Sequence, residues 1–318
     1  MRPLLIVAGP TAVGKSAIAA ELAKKLNGSI ISCDSMQIYR GMDIGSAKIR
    51  PEEMQGVPHY LLDVADPKEL FDVTCFQKLA KEAIDQIYQD KKLPILCGGT
   101  GFYIQAILYD IDFTAQETDP GYREECRLFA EKEGAEALHE KLRAVDPKAA
   151  DAIPFQNVKR VIRALEFYRQ SGGLRISDHN EKERAKSPAY DACFFALTEP
   201  REILYERIEK RVDQMMEEGL LQEVEGFYRQ GLRSSDRSMQ GLGYRELLQH
   251  FEGAMSLDNA VSLIKRNSRH YAKRQLTWLR RDPSVIWIDR AELHESTEEI
   301  LAFMIRKWTE IQTAYKVE

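Results

Sequence analysis

The octapeptide GPTAVGKS at residues 9–16 constrains the fold more than any other part of the chain. It fits the pattern G-x-x-x-x-G-K-[ST], follows the apolar run LLIVA and precedes a segment with helical spacing of apolar residues. In such a strand–loop–helix, backbone N–H groups and the positive end of the helix dipole bind phosphate oxygens, the lysine neutralises phosphate charge and the final hydroxyl holds Mg²⁺. The predicted phosphate-binding residues are Gly9, Pro10, Thr11, Ala12, Val13, Gly14, Lys15 and Ser16, with Ser16 as the Mg²⁺ ligand.

The first third of the chain alternates between predicted strands and helices. This order is typical of a parallel sheet covered by helices on both faces. The sequence therefore predicts an α/β fold with a P-loop NTPase-like parallel-sheet core. The predicted strands are 4–8, 30–33, 59–64 and 93–97, and the predicted helices are 15–26 and 74–88, the second with Thr74 as its N-cap.

From residue 114 the pattern changes to charged amphipathic helices without a convincing strand. We therefore expect a catalytic core of residues 1–113 and 190–318, interrupted by an all-helical insertion domain of residues 114–189. Helices are predicted in the insertion at 121–133, 135–145 and 157–170, with a polar, mobile loop at 177–188. In the rest of the core, strands are predicted at 193–197 and 285–288, and helices at 201–218, 220–230, 244–251, 257–279 and the C-terminus.

Two further segments lie where predicted strands end, which is where parallel sheets bind ligands. Asp34 follows the second strand and is a candidate general base, although a role in a turn or cap fits the sequence equally well. The GGTG sequence at residues 98–101 follows another strand. It indicates either a tight turn or a close approach of the backbone to a substrate, with the Thr100 hydroxyl as a contact.

Composition excludes several classes of protein. The net charge of −5 does not indicate a polyanion as partner, but residues 265–281 contain seven lysines or arginines and no acid. That segment is either a solvated helix face or a nucleic-acid-binding patch. The five cysteines lack metal-ligand spacing and fit a reducing cytoplasm. No apolar run approaches the roughly 20 residues of a membrane span, so we expect a cytoplasmic protein that does not contact membranes.

Eight segments together resemble the bacterial tRNA dimethylallyltransferases, also called tRNA isopentenyltransferases, of the IPP transferase family. They occur in the family's order and extend over nearly the whole chain. DSMQIYRGMDIG and AKRQLTWLR are specific to the family, whereas many NTPases have the phosphate loop. The eight segments are GPTAVGKS (9–16), DSMQIYRGMDIGSAK (34–48), PHYLLDV (58–64), GGTGFYIQAIL (98–108), NVKRVIRALEFY (157–168), RIEKRVDQMMEEGLLQEV (207–224), GLGYREL (241–247) and YAKRQLTWLR (271–280).

The resemblance implies transfer of a dimethylallyl group from dimethylallyl diphosphate to N6 of the adenosine 3′-adjacent to a tRNA anticodon, with release of pyrophosphate. It implies Asp34 as the base, and Lys15 and Mg²⁺ as stabilisers of the leaving diphosphate. Arg207 or Arg211 would assist them; the two lie four apart on one predicted helix face, and we favour Arg211. Thr100 would contact the substrates.

The resemblance also implies that the insertion binds the anticodon stem-loop, whose splayed bases proteins read by stacking and edge contacts. Because no cysteine follows Cys193, we expect no zinc finger of the kind found in some eukaryotic relatives, and we expect a monomer. The residues expected to contact tRNA are Asp34, Ser35, Met36, Gln37, Thr100, Arg123, Gln156, Asn157, Val158, Lys159, Arg160, Lys273 and Arg274.

Three other functions share parts of this pattern. A small-molecule kinase would use the same loop for ATP, with Arg123 or Arg175 in a lid and Asp34 deprotonating a hydroxyl. An adenylate isopentenyltransferase would prenylate free AMP, ADP or ATP; the basic segment and the helical insertion argue for tRNA instead. A protein that only binds RNA or nucleotides would have no need of a base at Asp34.

Overall fold

The computed structural model describes residues 2–113 and 119–314, which form two compact units. One unit comprises Met1–Leu108 and Tyr190–Glu318 and is called here the sheet unit; the other, Tyr109–Ala189, is called the helical unit. The helical unit thus begins at Tyr109 rather than at residue 114. Within the described residues, no helix combines the length and the apolar composition that a bilayer crossing requires.

The sheet unit contains a six-stranded parallel sheet with strand order β3-β2-β4-β1-β5-β6, which confirms the predicted fold class. Strand β1 lies between β4 and β5, and Ala8 of β1 is in register with Gly98 of β4. The chain segments that follow these two strands therefore start side by side at the middle of the sheet. The strands are β1 Pro3–Ala8, β2 Gly28–Ser32, β3 His59–Tyr60, β4 Leu93–Gly98, β5 Asp191–Thr198 and β6 Val285–Asp289.

Helices surround the sheet and make up the helical unit. Apolar side chains of the sheet, among them Leu5 and Phe195, pack with Leu22 and Met304 of the first and last helices in one buried core. The helices are α1 Lys15–Lys25, α2 Val73–Gln89, α3 Gly101–Leu108, α4 Pro120–Glu133, α5 Ala135–Val145, α6 Pro147–Ala152, α7 Val158–Gln170, α8 Ile176–Arg184, α9 Arg201–Glu217, α10 Leu220–Arg229, a 3-10 turn Ser238–Gln240, α11 Tyr244–Phe251, α12 Leu257–Leu279 and α13 Thr297–Ala314.

Three local predictions are corrected. The N-cap of α2 is Asp72, whose carboxylate accepts hydrogen bonds from Thr74 N and Cys75 N at 2.9 and 3.0 Å, so the prediction of Thr74 was wrong. Strand β3 has only two residues instead of the predicted 59–64. Helix α3 was not predicted because apolar residues lie on nearly all of its faces, which hides the helical period.

The predicted mobile loop at 177–188 was also wrong, because α8 occupies most of it. The helix lacks an apolar stripe, but its polar groups are paired within the helical unit. Ser177 donates from its backbone N and from Oγ to the buried Asp146 carboxylate at 3.0 and 2.7 Å. Glu183 accepts a 2.8 Å hydrogen bond from Asp112 N. These buried pairs fix a segment that hydrophobic periodicity does not reveal.

Candidate active site

The phosphate loop leaves β1 at Gly9 and enters α1 after Gly14, both with positive φ angles of 149° and 86°. A Cβ atom at Gly9 would lie 2.7 Å from the Leu197 carbonyl oxygen, and one at Gly14 would lie 2.5 Å from Arg290 Nη1. Glycine is favoured at both positions because the positive φ angle strains any other residue, and at Gly9 the Leu197 backbone also leaves no room for a side chain. The loop is therefore clamped tightly at both of its ends.

Three side chains hold the loop's backbone. Lys15 Nζ donates to the Pro10 carbonyl at 2.7 Å, and Arg290 Nη1 donates to the Val13 carbonyl at 2.6 Å. The Thr11 N–H donates to Gln275 Oε1 at 2.9 Å. Sequence reasoning missed Arg290 and Gln275 because each acts across more than 250 residues of chain; the motif AKRQLTWLR, which contains Gln275, was the only available signal.

Two of the cavities beside the loop share part of their walls. The first, called here the loop cavity, has a volume of about 420 Å³ and is lined by Lys15, Ser16 and the ends of β2 and β4. The second, called the helix cavity, has a volume of about 500 Å³ and lies against α9 and α12. Six residues line both cavities and so mark their junction: Thr11, Ala12, Asp34, Ser46, Arg211 and Tyr271.

Asp34 lies in a turn and also lines both cavities. The two interpretations from the sequence, a turn residue and a candidate general base, are therefore compatible. Asp34 Oδ1 accepts a 2.8 Å hydrogen bond from Met36 N, which orients the carboxylate at the junction. The turn after β4 fixes the same segment, since the Thr100 hydroxyl oxygen accepts a 3.2 Å hydrogen bond from Ser35 N. A Cβ atom at Gly98 would lie 2.3 Å from the Cys33 carbonyl oxygen, so this turn requires glycine for close packing.

Two cations lie at or beside the junction, Arg211 within it and Lys15 on the wall of the loop cavity. Burial lowers the pKa of Lys15 to about 8; nearby Cys97 and Asp34 oppose this effect and Arg211 adds to it. Burial also lowers the pKa of Arg211 from its usual range, with Asp34 opposing. Burial raises the pKa of Tyr271 to about 12, which keeps its phenol protonated near neutral pH. Lys15 and Arg211 disfavour each other's charge, and an anionic ligand relieves this repulsion beside the Asp34 and Glu53 carboxylates of the loop cavity.

The structure distinguishes the two candidate arginines. Arg207 Nε lies 3.1 Å from a Glu199 carboxylate oxygen, and the same guanidinium pairs with Glu295. Arg211 lines both cavities and, within the described residues, has no ion pair with a carboxylate. Arg211 is thus available to a ligand, whereas the two glutamates already occupy Arg207.

The segment after Asp34 depends on a residue that sequence reasoning missed. Glu223 of α10 accepts hydrogen bonds from the backbone N–H groups of residues 43, 44 and 45 at 3.0, 2.8 and 3.2 Å, and from Tyr244 Oη at 2.6 Å. Gln37 donates from Nε2 to the carbonyls of Ser46 and Ala47 at 3.4 and 3.2 Å. The Gln37 side chain thus lines the loop cavity, and its amide holds the backbone of Ser46 at the junction. Ser35 and Met36 line the helix cavity.

The basic segment 265–281 divides into two parts on α12. Lys265 Nζ lies 2.6 Å from the Asp213 carboxylate, and Arg269 pairs with Glu209, so these two cations join α12 to α9. Lys273 and Arg274 are exposed, and Arg274 lines the helix cavity. Two of the seven cations in the segment therefore join α12 to α9, and Arg274 is the one of the seven that lines the helix cavity.

The remaining predicted contact residues lie in the helical unit. Arg123 forms a bidentate ion pair with Glu166, with Nε and Nη2 at 2.9 and 2.7 Å from the two carboxylate oxygens. Glu166 is 1% exposed, so Arg123 neutralises a buried charge. At the start of α7, Asn157 caps the helix by accepting from Arg160 N at 3.3 Å, and Val158 is half-buried. The exposed side chains at this helix start are Gln156, Lys159 and Arg160.

Comparison with known proteins agrees with this geometry. The family model for IPP transferase matches residues 37–282. The chain belongs to the IPP transferase family. A tRNA dimethylallyltransferase of Lachnoclostridium phytofermentans is 51% identical over 310 residues, which cover 98% of each chain. This confirms the family resemblance that the eight segments indicated.

Solved structures of related enzymes resemble this chain over most of its length. The tRNA isopentenylpyrophosphate transferase of Bacillus halodurans matches with a TM-score of 0.74 and 43% identity, covering 99% of this chain and 100% of its own. A eukaryotic dimethylallyltransferase acting on tRNA matches with a TM-score of 0.78 and 27% identity, covering 91% of this chain and 74% of its own. The predicted sheet core with flanking helices is therefore the fold of this family.

Proposed function

We propose that this protein is a tRNA-modifying enzyme that transfers a dimethylallyl group from dimethylallyl diphosphate to N6 of the adenosine on the 3′ side of a tRNA anticodon. The observation that carries the proposal is the position of Asp34, which lies where the phosphate-loop cavity meets a second cavity. A base placed between a diphosphate site and an acceptor site suits alkyl transfer with a diphosphate leaving group. The relatives named tRNA dimethylallyltransferase support this assignment.

The loop cavity is the proposed donor site. As the allylic C–O bond breaks, negative charge develops on the diphosphate, and loop N–H groups, Lys15 and Arg211, which line this cavity, would stabilise it. The exposed Ser16 hydroxyl lines the same cavity as the Asp34 carboxylate, and such oxygen donors suit Mg²⁺. Ser16 and the donor's phosphates would hold Mg²⁺, which neutralises diphosphate charge when bound.

Protein carboxylates alone do not form a metal cage here. Within residues 2–113 and 119–314, no cluster of three or more His, Cys, Asp or Glu side chains has the geometry to hold a metal ion. This fits Mg²⁺, which usually keeps several waters and is shared between few protein ligands and substrate phosphates. The residues present therefore fit a metal that is recruited together with the diphosphate.

The helix cavity is the proposed acceptor site. An adenine must leave the base stack to react, and a cavity of about 500 Å³ has room for a purine. The N6 nitrogen attacks the allylic carbon, forming a C–N bond as the C–O bond breaks. The N6 proton passes to the Asp34 carboxylate, which compensates for the weak nucleophilicity of an aromatic amine. Thr100 fixes the segment beside Asp34 through Ser35 N, and Tyr271 lines both cavities.

The exposed cations are the proposed tRNA contacts. Arg274 lines the acceptor cavity and Lys273 is its exposed neighbour in α12, whereas Arg123 and the 156–160 segment supply polar groups on the helical unit. These positions suit phosphate contacts to an anticodon stem-loop, which fix register while the cavity reads the base. A monomer acting on tRNA in the cytoplasm completes the proposal.

The decisive experiment supplies the purified protein with Mg²⁺, labelled dimethylallyl diphosphate and an unmodified anticodon stem-loop RNA. We expect label at the adenosine 3′ of the anticodon, equimolar release of pyrophosphate, and no label in a stem-loop with guanosine at that position. AMP and ATP serve as parallel acceptors. Label in AMP but not in RNA would replace the proposal with an adenylate isopentenyltransferase. Phosphoryl transfer from ATP without alkyl transfer would replace it with a kinase.

A further inference from the structure

Gln275 of α12 joins two turns that the mechanism uses separately. Its Oε1 accepts from the Thr11 N–H of the phosphate loop at 2.9 Å, and its Nε2 donates to the Gly99 carbonyl of the 98–101 turn at 3.0 Å. Gln275 is 7% exposed, and each end of its amide makes a hydrogen bond to a different turn. The buried amide therefore restrains the orientation of one turn relative to the other.

The bridge continues to the base. Gly99 precedes Thr100, whose hydroxyl oxygen accepts from Ser35 N at 3.2 Å, and Ser35 follows Asp34 directly. Gln275 is therefore the link between the loop that binds the leaving group and the turn that fixes the catalytic carboxylate. We propose that Gln275 is a positioning residue that sets the distance and orientation between the donor's diphosphate and Asp34.

Glycine at position 99 is part of this arrangement. A Cβ atom on Gly99 would lie 2.0 Å from Gln275 Nε2, so any other residue would displace the amide. Helix α12 does not need the amide to stay in place, because Ala272 and Leu279 anchor it in the apolar core. The hydrogen bonds of Gln275 are thus directed at the two turns rather than at the packing of the helix.

The expected defect is in turnover rather than in binding. Each substrate keeps its own contacts when Gln275 is changed, but the reacting atoms lose their alignment, and a misplacement of about 1 Å costs roughly 10²-fold in rate. We expect Gln275→Met to lower kcat by at least about tenfold while the KM values of dimethylallyl diphosphate and stem-loop RNA change by less than about threefold. This inference rests on the proposed alkyl-transfer function.

The matched control is Gln77→Met. Gln77 Nε2 also donates to a backbone carbonyl, that of Ala106, at 2.8 Å, but the residue lines none of the cavities beside the phosphate loop. We expect this variant to keep the wild-type kcat. Equal kcat values for the two Met variants would overturn the role of Gln275, as would a Gln275→Met defect confined to KM. A wild-type protein without transferase activity would instead refute the proposed function.

Gln275→Glu tests the same idea without relying on the Met variant to fold. A glutamate keeps the acceptor for Thr11 N–H but, when ionised, places an oxygen against the Gly99 carbonyl; when protonated, it donates as glutamine does. Burial raises the pKa of such a carboxyl, so protonation is accessible in mildly acidic buffer. The kcat of Gln275→Glu relative to wild type should rise as the pH falls from about 8 to about 6. A ratio near one throughout this range would overturn the proposal.

Discussion

The lowered pKa of Lys15 predicts that donor binding depends on pH. The ammonium of Lys15 must be charged to bind a diphosphate, and burial places its pKa at about 8 instead of 10.5. With that pKa, Lys15 is about nine-tenths charged at pH 7 and about one-tenth charged at pH 9. The bound diphosphate restores the charged form, so binding above pH 7 takes up a proton.

The size of the effect follows from the same pKa. If only the charged form binds, the apparent Kd for pyrophosphate rises about tenfold between pH 7 and pH 9, and about half a proton is taken up at pH 8. The assay is isothermal titration calorimetry in two buffers of different ionisation enthalpy. Lys15→Arg is the reference, because its guanidinium stays charged and ionisation of the ligand cancels in the comparison.

Two results would refute this reasoning. In one, wild type and Lys15→Arg lose affinity in parallel as the pH rises, which would assign the whole dependence to the ligand. In the other, an NMR titration of the lysine side chains places the Lys15 pKa near its usual value of 10.5. Either result would mean that the loop cavity is more hydrated than the packing of its walls indicates.

The other predictions concern the base, the arginines and the basic helix. Asp34→Ala should lower the single-turnover rate by roughly 10²-fold or more while RNA and pyrophosphate binding persist, and a wild-type rate would remove Asp34 from the mechanism. Arg211→Gln should lower kcat by roughly 10²-fold with little change in Tm. Arg207→Gln should mainly lower Tm, because it leaves the Glu199 carboxylate buried and unpaired. The opposite pattern would exchange the roles of the two arginines. Neutralising Lys273 and Arg274 together should flatten the salt dependence of log Kd for stem-loop RNA by about one to two units of slope, and an unchanged slope would exclude this helix face from RNA contact.

Local patterns were enough to predict the sheet core and the position of Asp34. The phosphate loop, the short apolar strands and the glycine turn each carry their signal within a few neighbouring residues, and parallel topology brings the strand ends together. Gln275, Arg290 and Glu223 were not predictable in this way. Each acts on backbone groups more than 170 residues away in the chain, so no spacing rule links the side chain to its partner.

The polar helix α8 and the apolar helix α3 were missed for opposite reasons. One has too few apolar residues to show a helical period, and the other has them on nearly every face. In both cases the structure is decided by tertiary contacts: buried ion and hydrogen-bond pairs for α8, and close packing against α2 and α12 for α3. Periodicity reports only helices that have one buried and one solvated face.

The environment of Arg211 shows why only tertiary structure could choose it over Arg207. Both lie on one face of α9, but Glu199 after β5 and Glu295 before α13 neutralise Arg207 alone. Arg211 is left beside Lys15, and each cation is further disfavoured by burial. A bound diphosphate relieves the repulsion between the Lys15 and Arg211 cations. The relief grows as the breaking C–O bond moves further negative charge onto the leaving group. Part of the relief is thus realised only in the transition state, and that part accelerates the reaction.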